Sequence, residues 1–332
     1  MPGSGPHREG PRISVVAPTY RRRDGLPAFV EPLLAEPELD ELVIAVDGSG
    51  DGSVEWLRER ARSDPRLVVL DLPNRGAGPT RQAGIEHASG DVVILMDDDV
   101  IAEPGLVAGH REHHRDRPDR LLVLGYMPND WRALPPGRRG IAKIYQRAYE
   151  GAVARFAADP DHILLGLWAG NFSLAREDFL RVGIETQMEL PRGQDDREFG
   201  IRCYRAGIRA RFDRGLRGRH LYDRPLAAFR RDCYIQGETR RLIHELHGEL
   251  VGTDLVASTE GSAVLDAVGL GLPRPLRAVL PQLARPPVFR VLTGLLTGLF
   301  EVSVRTRLLS LEVFAARGLG SLETQRGVLA RS

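Results

Sequence analysis

Residues 89–100 read SGDVVILMDDDV. An apolar run, Val92–Met96, stands between a Gly–Asp pair and an acidic triplet at 97–99. An apolar run without polar alternation is typical of a strand buried on both faces of a parallel sheet. Ligands of open α/β sheets bind where such strands end. The stretch therefore predicts both a fold class and the place of a site.

Similar apolar runs recur on either side of this one. They are separated by segments with helical spacing, such as 29–34 and 54–57, and they cover residues 13–17, 42–46, 67–70 and 121–124. Alternation of strands and helices predicts an α/β layer architecture with right-handed crossovers.

The pattern changes after residue 124. We predict a helix over 141–156, an apolar segment over 163–175 and a helix that begins near Arg176. Beyond about residue 234, helical stretches alternate with proline-rich joints. The sequence thus predicts an α/β domain over 12–235 and a helical C-terminal region over 236–332.

The composition is that of a globular protein without a dominant charge. The 332 residues carry 46 basic and 45 acidic side chains, so that no global field favours nucleic acid. Two cysteines, Cys203 and Cys233, form no CxxC pair, which excludes a disulfide scaffold and a zinc ribbon. The longest stretch without charge or histidine, 163–175, is shorter than the ~20 residues of a membrane span. We therefore expect a cytoplasmic protein without a secretion signal.

A leucine stripe lies in the predicted C-terminal helices. Its members, at i, i+3, i+4 and i+7, are Leu292, Leu295, Leu296 and Leu299. We expect the stripe to pack on its own domain. A homodimer, or peripheral contact with the inner face of a membrane, is the alternative.

Polar blocks follow the first four predicted strands, and their sequences exclude two classes of nucleotide enzyme. A dehydrogenase needs GxGxxG directly after the first strand, where this chain has PTYR and no glycine before Gly25. The P-loop signature is also missing. Asp97 and Asp99 instead form an Asp-x-Asp pair at a strand end. Such oxygen ligands suit Mg²⁺ or Mn²⁺ that bridges to substrate phosphates.

With these blocks in order, the sequence resembles the family 2 glycosyltransferases of the GT-A fold. The resemblance runs from residue 13 to about 207, and its blocks are SVVAPTYRR (14–22), DGSGDGS (47–53), NRGAGPTRQAG (74–84), SGDVVILMDDD (89–99), GNFS (170–173) and DDREF (195–199). It implies a mostly parallel mixed sheet flanked by helices. It departs from the family in the second block, where Val46 and Asp47 replace paired aspartates.

The resemblance also implies roles for individual residues. Asp99 would ligate the metal, with Asp97 and His220 as further ligands, although a hydrogen-bonded structural role for His220 stays open. The nucleotide-sugar donor would be bound by Pro18, Thr19, Tyr20, Arg22, Asp47, Arg81, Asp97 and Asp98.

The resemblance places the acceptor side at 170–173 and 195–199. Asp196 would be the general base, because a sugar hydroxyl is a poor nucleophile unless a carboxylate takes its proton. Asp195 would tune the basicity of Asp196. Alternatively, both acids merely favour the positive end of a helix.

The function that follows is inverting transfer of a sugar from a metal-bound nucleoside diphosphate sugar to an acceptor hydroxyl. UDP-sugars are favoured by the family, and the acceptor is a small molecule, a glycan or a lipid-linked molecule. A nucleotidyltransferase and a non-catalytic module that binds nucleotide or glycan are the alternatives.

Histidines at 110, 113 and 114 suggest a zinc site at first sight. They follow the acidic triplet on a charged helix that includes REHHR (111–115), and no HExxH motif is present, so we expect a solvated helix face instead.

Overall fold

The computed structural model describes residues 10–116, 120–185 and 195–251. These residues form two compact units. The first takes the described residues up to 128, together with 155–185 and 199–221, and the second takes 129–154, 195–198 and 222–251.

The strands all belong to the first unit. They are β1 Ile13–Thr19, β2 Glu41–Asp47, β3 Leu67–Leu72, β4 Val92–Met96, β5 Val100–Ala102, β6 Leu121–Tyr126, β7 Asn171–Ala175 and β8 Arg209–His220. Within the described residues they form one sheet in the order β3-β2-β1-β4-β7-β6-β8-β5.

The helices follow the alternation that the sequence predicts. They are α1 Leu26–Leu34, α2 Ser53–Ser63, α3 Ala77–His87, α4 Leu106–His114, α5 Arg139–Ala158, α6 Asp161–Leu165, α7 Arg176–Val182, α8 Asp195–Arg205 and α9 Leu226–Val251. The predicted helix over 141–156 is confirmed as α5. The predicted apolar segment over 163–175 contains the end of α6 and all of β7.

Strand directions confirm a mixed, mostly parallel sheet. β1 pairs in parallel with β2 and β4, β2 with β3, and β6 with β8. Strand β7 runs antiparallel to both β4 and β6, so β4 and β6 point the same way. The carboxyl ends of β1, β2, β3, β4, β6 and β8 therefore lie at one edge of the sheet.

Burial explains why the apolar runs form strands. Every residue of β4 is buried, as are Val15 and Val16 of β1, which expose no surface at all. Helix α3 packs closely on this layer because it carries Gly84. A Cβ atom at that position would lie 2.6 Å from Val16 Cγ1. Strand β3, at the end of the sheet, is only partly buried.

The second unit is held by stacked aromatic rings. Tyr145 on α5 stacks on Tyr222 with the ring centroids 4.0 Å apart, and Phe229 on α9 meets Tyr222 edge-on at 6.3 Å. None of the helices in the described part of the chain is long and apolar enough to span a membrane. Residue 235, the predicted domain boundary, lies inside α9, and the leucine stripe lies outside the described residues, so both assignments stay predictions.

Candidate active site at the carboxyl edge of the sheet

The acidic triplet leaves β4 at the shared carboxyl edge, and its outer members contact two other elements. Asp97 accepts a hydrogen bond from Arg81 Nη2 on α3 at 2.6 Å. Asp99 Oδ1 lies 3.3 Å from Nε2 of His220, the last residue of β8. The backbone fixes this second contact, because the Leu221 N–H donates to the Asp99 carbonyl at 2.8 Å.

The middle acid points into the protein. Asp98 Oδ2 accepts a hydrogen bond from the Thr19 hydroxyl at the end of β1, at 2.6 Å. Burial raises the pKa of Asp98 to about 6, while the nearby Arg22 guanidinium opposes the rise. Asp99, next in sequence, adds to the rise through charge repulsion. Burial is thus the main cause of the raised pKa of Asp98, and the neighbouring carboxylates contribute less.

Arg22 supplies positive charge to this cluster. Its Nε lies 3.6 Å from Asp98 Oδ1, and its Nη2 lies 3.6 Å from Asp99 Oδ2. The first unit therefore brings together seven of the residues that the sequence assigns to donor or metal. They are Thr19, Arg22, Arg81, Asp97, Asp98, Asp99 and His220.

The turn after β1, which carries Arg22, contains a residue in an uncommon backbone conformation. Arg21 has φ of 53°, the one positive φ of a non-glycine residue in the described ranges. Its N–H donates to Ser49 Oγ at 2.8 Å, and the Arg23 N–H donates to Asp51 Oδ2 at 3.1 Å. Strain of this kind costs ~1–3 kcal/mol and concentrates at functional sites.

The neighbouring donor-side residues take different places. Pro18 is within β1 and pairs with Ala45 of β2. The Tyr20 side chain is exposed, with the Arg21 guanidinium 5.2 Å from its ring centroid. Their roles in binding donor stay predictions.

Asp47 is engaged by the turn after β3. Its Oδ1 accepts the Arg75 N–H at 2.7 Å, and its Oδ2 accepts the Gly76 N–H at 3.0 Å. Asn74, in the turn after β3, packs against Gly48 in the turn after β2. A Cβ at Gly48 would lie only 2.6 Å from the Asn74 nitrogen. The carboxylate therefore shapes the β2 and β3 turns, and a contact with the nucleotide base stays a prediction.

The histidines of α4 correct the sequence interpretation. His110 is fully buried and His114 is 8% exposed, so the predicted solvated face is wrong for both. His110 Nδ1 and His114 Nε2 each lie 2.8 Å from Ser173 Oγ on β7. His110 Nε2 also lies 3.0 Å from Asn171 Oδ1. The segment looks charged in sequence, but β7 provides buried polar partners for its rings.

These contacts also bear on the predicted acceptor-side block at 170–173. Asn171 and Ser173 are fully buried, and the Asn171 amide donates to the Leu216 carbonyl at 3.0 Å. The two side chains therefore hydrogen-bond within the first unit, and the place of this block on the acceptor side stays a prediction. Gly170 lies beside the acidic triplet. A Cβ at this position would be 3.0 Å from Asp97 Oδ2.

Asp195 and Asp196 begin α8 in the second unit. Asp196 Oδ1 accepts the N–H of Arg197 at 2.8 Å, and both acids are partly exposed. The position fits the favourable charge at a helix start, and the role of Asp196 as base stays a prediction.

Asn129, in the second unit, is a buried polar residue that the sequence analysis did not select. Asn129 is 6% exposed, and neither atom of its side-chain amide hydrogen-bonds to another described residue. Nearby in sequence, Trp131 has the Arg132 guanidinium 4.7 Å and Lys143 Nζ 4.4 Å from its ring centroid. Asn129 follows the end of β6 by three residues, and a polar residue soon after a predicted strand was the available signal.

Comparison with known proteins fits this geometry. The family model of Glycosyl transferase family 2 matches residues 14–172, which include the acidic triplet. The matched residues are 159 of the 332 in the chain. The fold is that of GT-A glycosyltransferases, as the resemblance implied.

Two curated relatives show how far this similarity extends. A glucosyl-dolichyl phosphate glucuronosyltransferase of Haloferax volcanii is 29% identical over 178 residues, which are 52% of this chain and 55% of that protein. A bactoprenol glucosyl transferase of Shigella phage SfV is 36% identical over 153 residues, which are 45% of this chain and 44% of that protein. The chain therefore spans about half the length of these relatives.

The fold similarity extends further than the sequence similarity. A mannosyltransferase from Pyrobaculum calidifontis, solved with GDP-Man and Mn²⁺, has a TM-score of 0.58 at 15% identity. The match covers 94% of this chain and 87% of that one, and it supports the glycosyltransferase fold.

Proposed function

We propose that the chain is an inverting glycosyltransferase that moves a sugar from a nucleoside diphosphate sugar to an acceptor hydroxyl. The observation that carries the proposal is the convergence of the acidic triplet with Arg22, Arg81 and His220 at the carboxyl edge of a family 2 sheet. The arginines offer positive charge to a diphosphate, and the acids offer oxygens to a divalent cation.

The side chains at this edge fit Mn²⁺ or Mg²⁺ held jointly with the donor. Asp99 and His220 offer an oxygen and a nitrogen 3.3 Å apart. No group of three or more His, Cys, Asp or Glu residues in the described ranges would form a cage made of protein alone. Ions of this kind keep waters and bind substrate phosphates, so Asp99 and His220 would supply only part of the coordination. When bound, the ion stabilises the charge of the departing diphosphate.

The protein's own groups divide the remaining work. Arg81 and Asp97, whose contact is 2.6 Å, would bind the ribose and diphosphate side of the donor. Arg22 would meet the diphosphate as negative charge develops on it. Thr19 holds Asp98 in place.

Asp196 would accept the proton of the acceptor hydroxyl. In that step the hydroxyl oxygen bonds to the anomeric carbon while the bond from that carbon to the diphosphate oxygen breaks, which inverts the configuration. Asp195 would modulate the field at Asp196 without touching substrate.

Lipid-linked acceptors are favoured among those left open by the sequence. Two relatives carry names that refer to dolichyl phosphate and bactoprenol. UDP-sugars are the first donors to test. Peripheral contact of a cytoplasmic protein with the inner face of a membrane would suit such acceptors.

Asp196→Asn and Asp195→Asn form a matched pair that tests the chemical step. We expect Asp196→Asn to lower single-turnover transfer by ~10²–10⁴, the usual effect of losing a positioned base. Donor and Mn²⁺ affinity should stay near those of the wild type, because the side chain would face the acceptor. Asp195→Asn should lower the rate much less.

Three outcomes would contradict the proposal in different ways. Equal, mild effects of both substitutions on rate and melting temperature would assign the two acids to helix stabilisation alone. Donor binding without transfer in the wild type would indicate a non-catalytic module. Release of diphosphate from a nucleoside triphosphate would indicate a nucleotidyltransferase.

A further inference from the structure

Arg22 is held beside the acidic triplet by charge rather than by directed hydrogen bonds. Both of its contacts, to Asp98 Oδ1 and to Asp99 Oδ2, are 3.6 Å long. Hydrogen bonds from N–H to oxygen are 2.7–3.2 Å long. The Arg22 Nε is buried and makes no hydrogen bond to any residue that the structure describes. The guanidinium is therefore attracted to two carboxylates without being fixed to either.

The backbone beneath this side chain is, by contrast, firmly anchored. The Arg22 carbonyl accepts the N–H groups of Gly25 at 2.8 Å and Leu26 at 3.1 Å. The N–H groups of the residues on either side, Arg21 and Arg23, donate to side chains of the β2–α2 turn. The Arg22 side chain can therefore change its partner without a rearrangement of the turn.

The other members of the triplet region already have close partners. Asp97 has Arg81 at 2.6 Å and Asp98 has Thr19 at 2.6 Å. Asp99 has His220 at 3.3 Å, and its Oδ2 faces Arg22. A divalent ion on Asp99 would therefore compete with Arg22 for the same carboxylate. Two cations so close repel each other, so they do not share this position.

We infer that Arg22 is a placeholder cation, which occupies the charge position of the divalent ion in the metal-free protein and moves to the diphosphate when metal and donor bind. The inference rests on the proposed function. A diphosphate gives the guanidinium an anionic partner that matches its planar fork. The metal should consequently bind weakly alone and more tightly in the presence of nucleotide.

Mn²⁺ affinity without nucleotide tests this exchange directly. We compare the wild type with Arg22→Gln, Arg22→Met and Arg22→Lys by isothermal titration calorimetry. Arg23→Gln is the matched control, because the neighbouring Arg23 guanidinium packs on Trp56, 5.1 Å from its ring centroid. Both neutral variants at position 22 should bind Mn²⁺ about tenfold more tightly, within the ~5–150-fold range of typical couplings. Arg22→Lys, which keeps the charge, and the Arg23 control should remain close to the wild type.

A second readout separates exchange from a merely structural role. UDP measured at saturating Mn²⁺ should bind the neutral variants more weakly than the wild type, although these variants bind Mn²⁺ alone more tightly. A structural defect would weaken both ligands together. Because Gln and Met differ in shape and polarity, a folding defect in one variant leaves the other to decide.

The inference is overturned if the neutral variants bind Mn²⁺ with the same or lower affinity than the wild type. If this happens while the wild type transfers sugar, the placeholder role falls and the proposed function stands. If no donor supports transfer but the neutral variants gain Mn²⁺ affinity, the placeholder role stands and the proposed function falls. Absence of Mn²⁺ binding in every protein, with or without UDP, overturns the placeholder role and the metal assignment together.

Discussion

His110 makes the stability of this protein depend on pH in a way that the structure quantifies. The ring is fully buried between α4 and β7, with Nδ1 2.8 Å from Ser173 Oγ and Nε2 3.0 Å from Asn171 Oδ1. Burial lowers its pKa from 6.5 to about 3, and the Asn171 contact only partly opposes that shift. The folded protein therefore keeps the ring neutral at pH values where the unfolded chain has taken up a proton.

The sign and size follow from proton linkage. The contribution of His110 is fully present above pH 6.5, and it is lost as the pH falls from 6.5 towards 3. Each pH unit in that window removes ~1.4 kcal/mol of the free energy of unfolding. At pH 5 the wild type should therefore have lost ~2 kcal/mol through this residue alone.

Substitution of His110 by Gln removes the titration. At pH 7.5 we expect the variant to be less stable by ~1–3 kcal/mol, because buried hydrogen bonds are lost or made poorly. This deficit should shrink by ~2 kcal/mol on going to pH 5. The titratable neighbours His113, His114 and Asp213 remain in both proteins, so the difference between the two reports position 110 together with its coupling to these groups.

Urea unfolding at pH values from 5 to 8 measures this effect. His87→Gln is the control, since His87 is exposed at the end of α3 and should leave the slope unchanged. Parallel stability curves for the wild type and the His110 variant would refute the reasoning.

Two further predictions concern the site and the core. Asp99→Asn should weaken the Mn²⁺-dependent part of nucleotide binding by at least ~10–100-fold, the loss seen when only a residue behind a metal ligand is removed. The melting temperature of the metal-free protein should stay nearly unchanged. Unchanged metal dependence in a thermal-shift titration with UDP would contradict the metal assignment. Gly84→Ala should destabilise the protein by ~1–3 kcal/mol despite the better helix propensity of Ala, because its Cβ would lie 2.6 Å from Val16 Cγ1. The penalty should shrink in a Val16→Ala background in urea unfolding, and an equal penalty in both backgrounds would show that the close contact is not its cause.

The sequence predicted the strands that obey a simple burial rule. Strands β1, β2 and β4 are interior and nearly all apolar, so a continuous apolar run identified them. Strand β8 was missed because it reads RARFDRGLRGRH, with five arginines. It is an interior strand of the sheet, but a register shift opposite Gly125 and Tyr126 breaks its alternation. Periodicity alone does not detect such a strand.

The same rule explains how much of the site was predictable. Parallel strands bring their carboxyl ends together, so the convergence of Thr19 and the acidic triplet follows from the order of apolar runs. The contact of His220 with Asp99 does not follow. It requires β8 to pair antiparallel with the short strand β5, with His220 opposite Val100. Nothing in the local sequence indicates that pairing.

The His110 network shows a second limit of sequence reasoning. A segment such as REHHR looks solvated, because charged and polar side chains are mostly exposed. Burial of His114 and of the preceding His110 depends on Ser173 and Asn171, which lie far away in the chain and themselves look like a substrate-side motif. The cost of burying polar groups is met only when both partners are present, so neither segment reveals it alone.

The geometry of the triplet explains why an acid, Asp98, lies between the two aspartates of the Asp-x-Asp pair. Asp98 turns inward, and its side chain is 15% exposed, against 32% for Asp97 and 26% for Asp99. Its bond to Thr19 ties the turn after β4 to the end of β1. With the middle acid held inside, the outer two face different elements, α3 and β8. Asp98 therefore fixes the directions of its neighbours Asp97 and Asp99, which are the acids that the proposed function assigns to donor and metal.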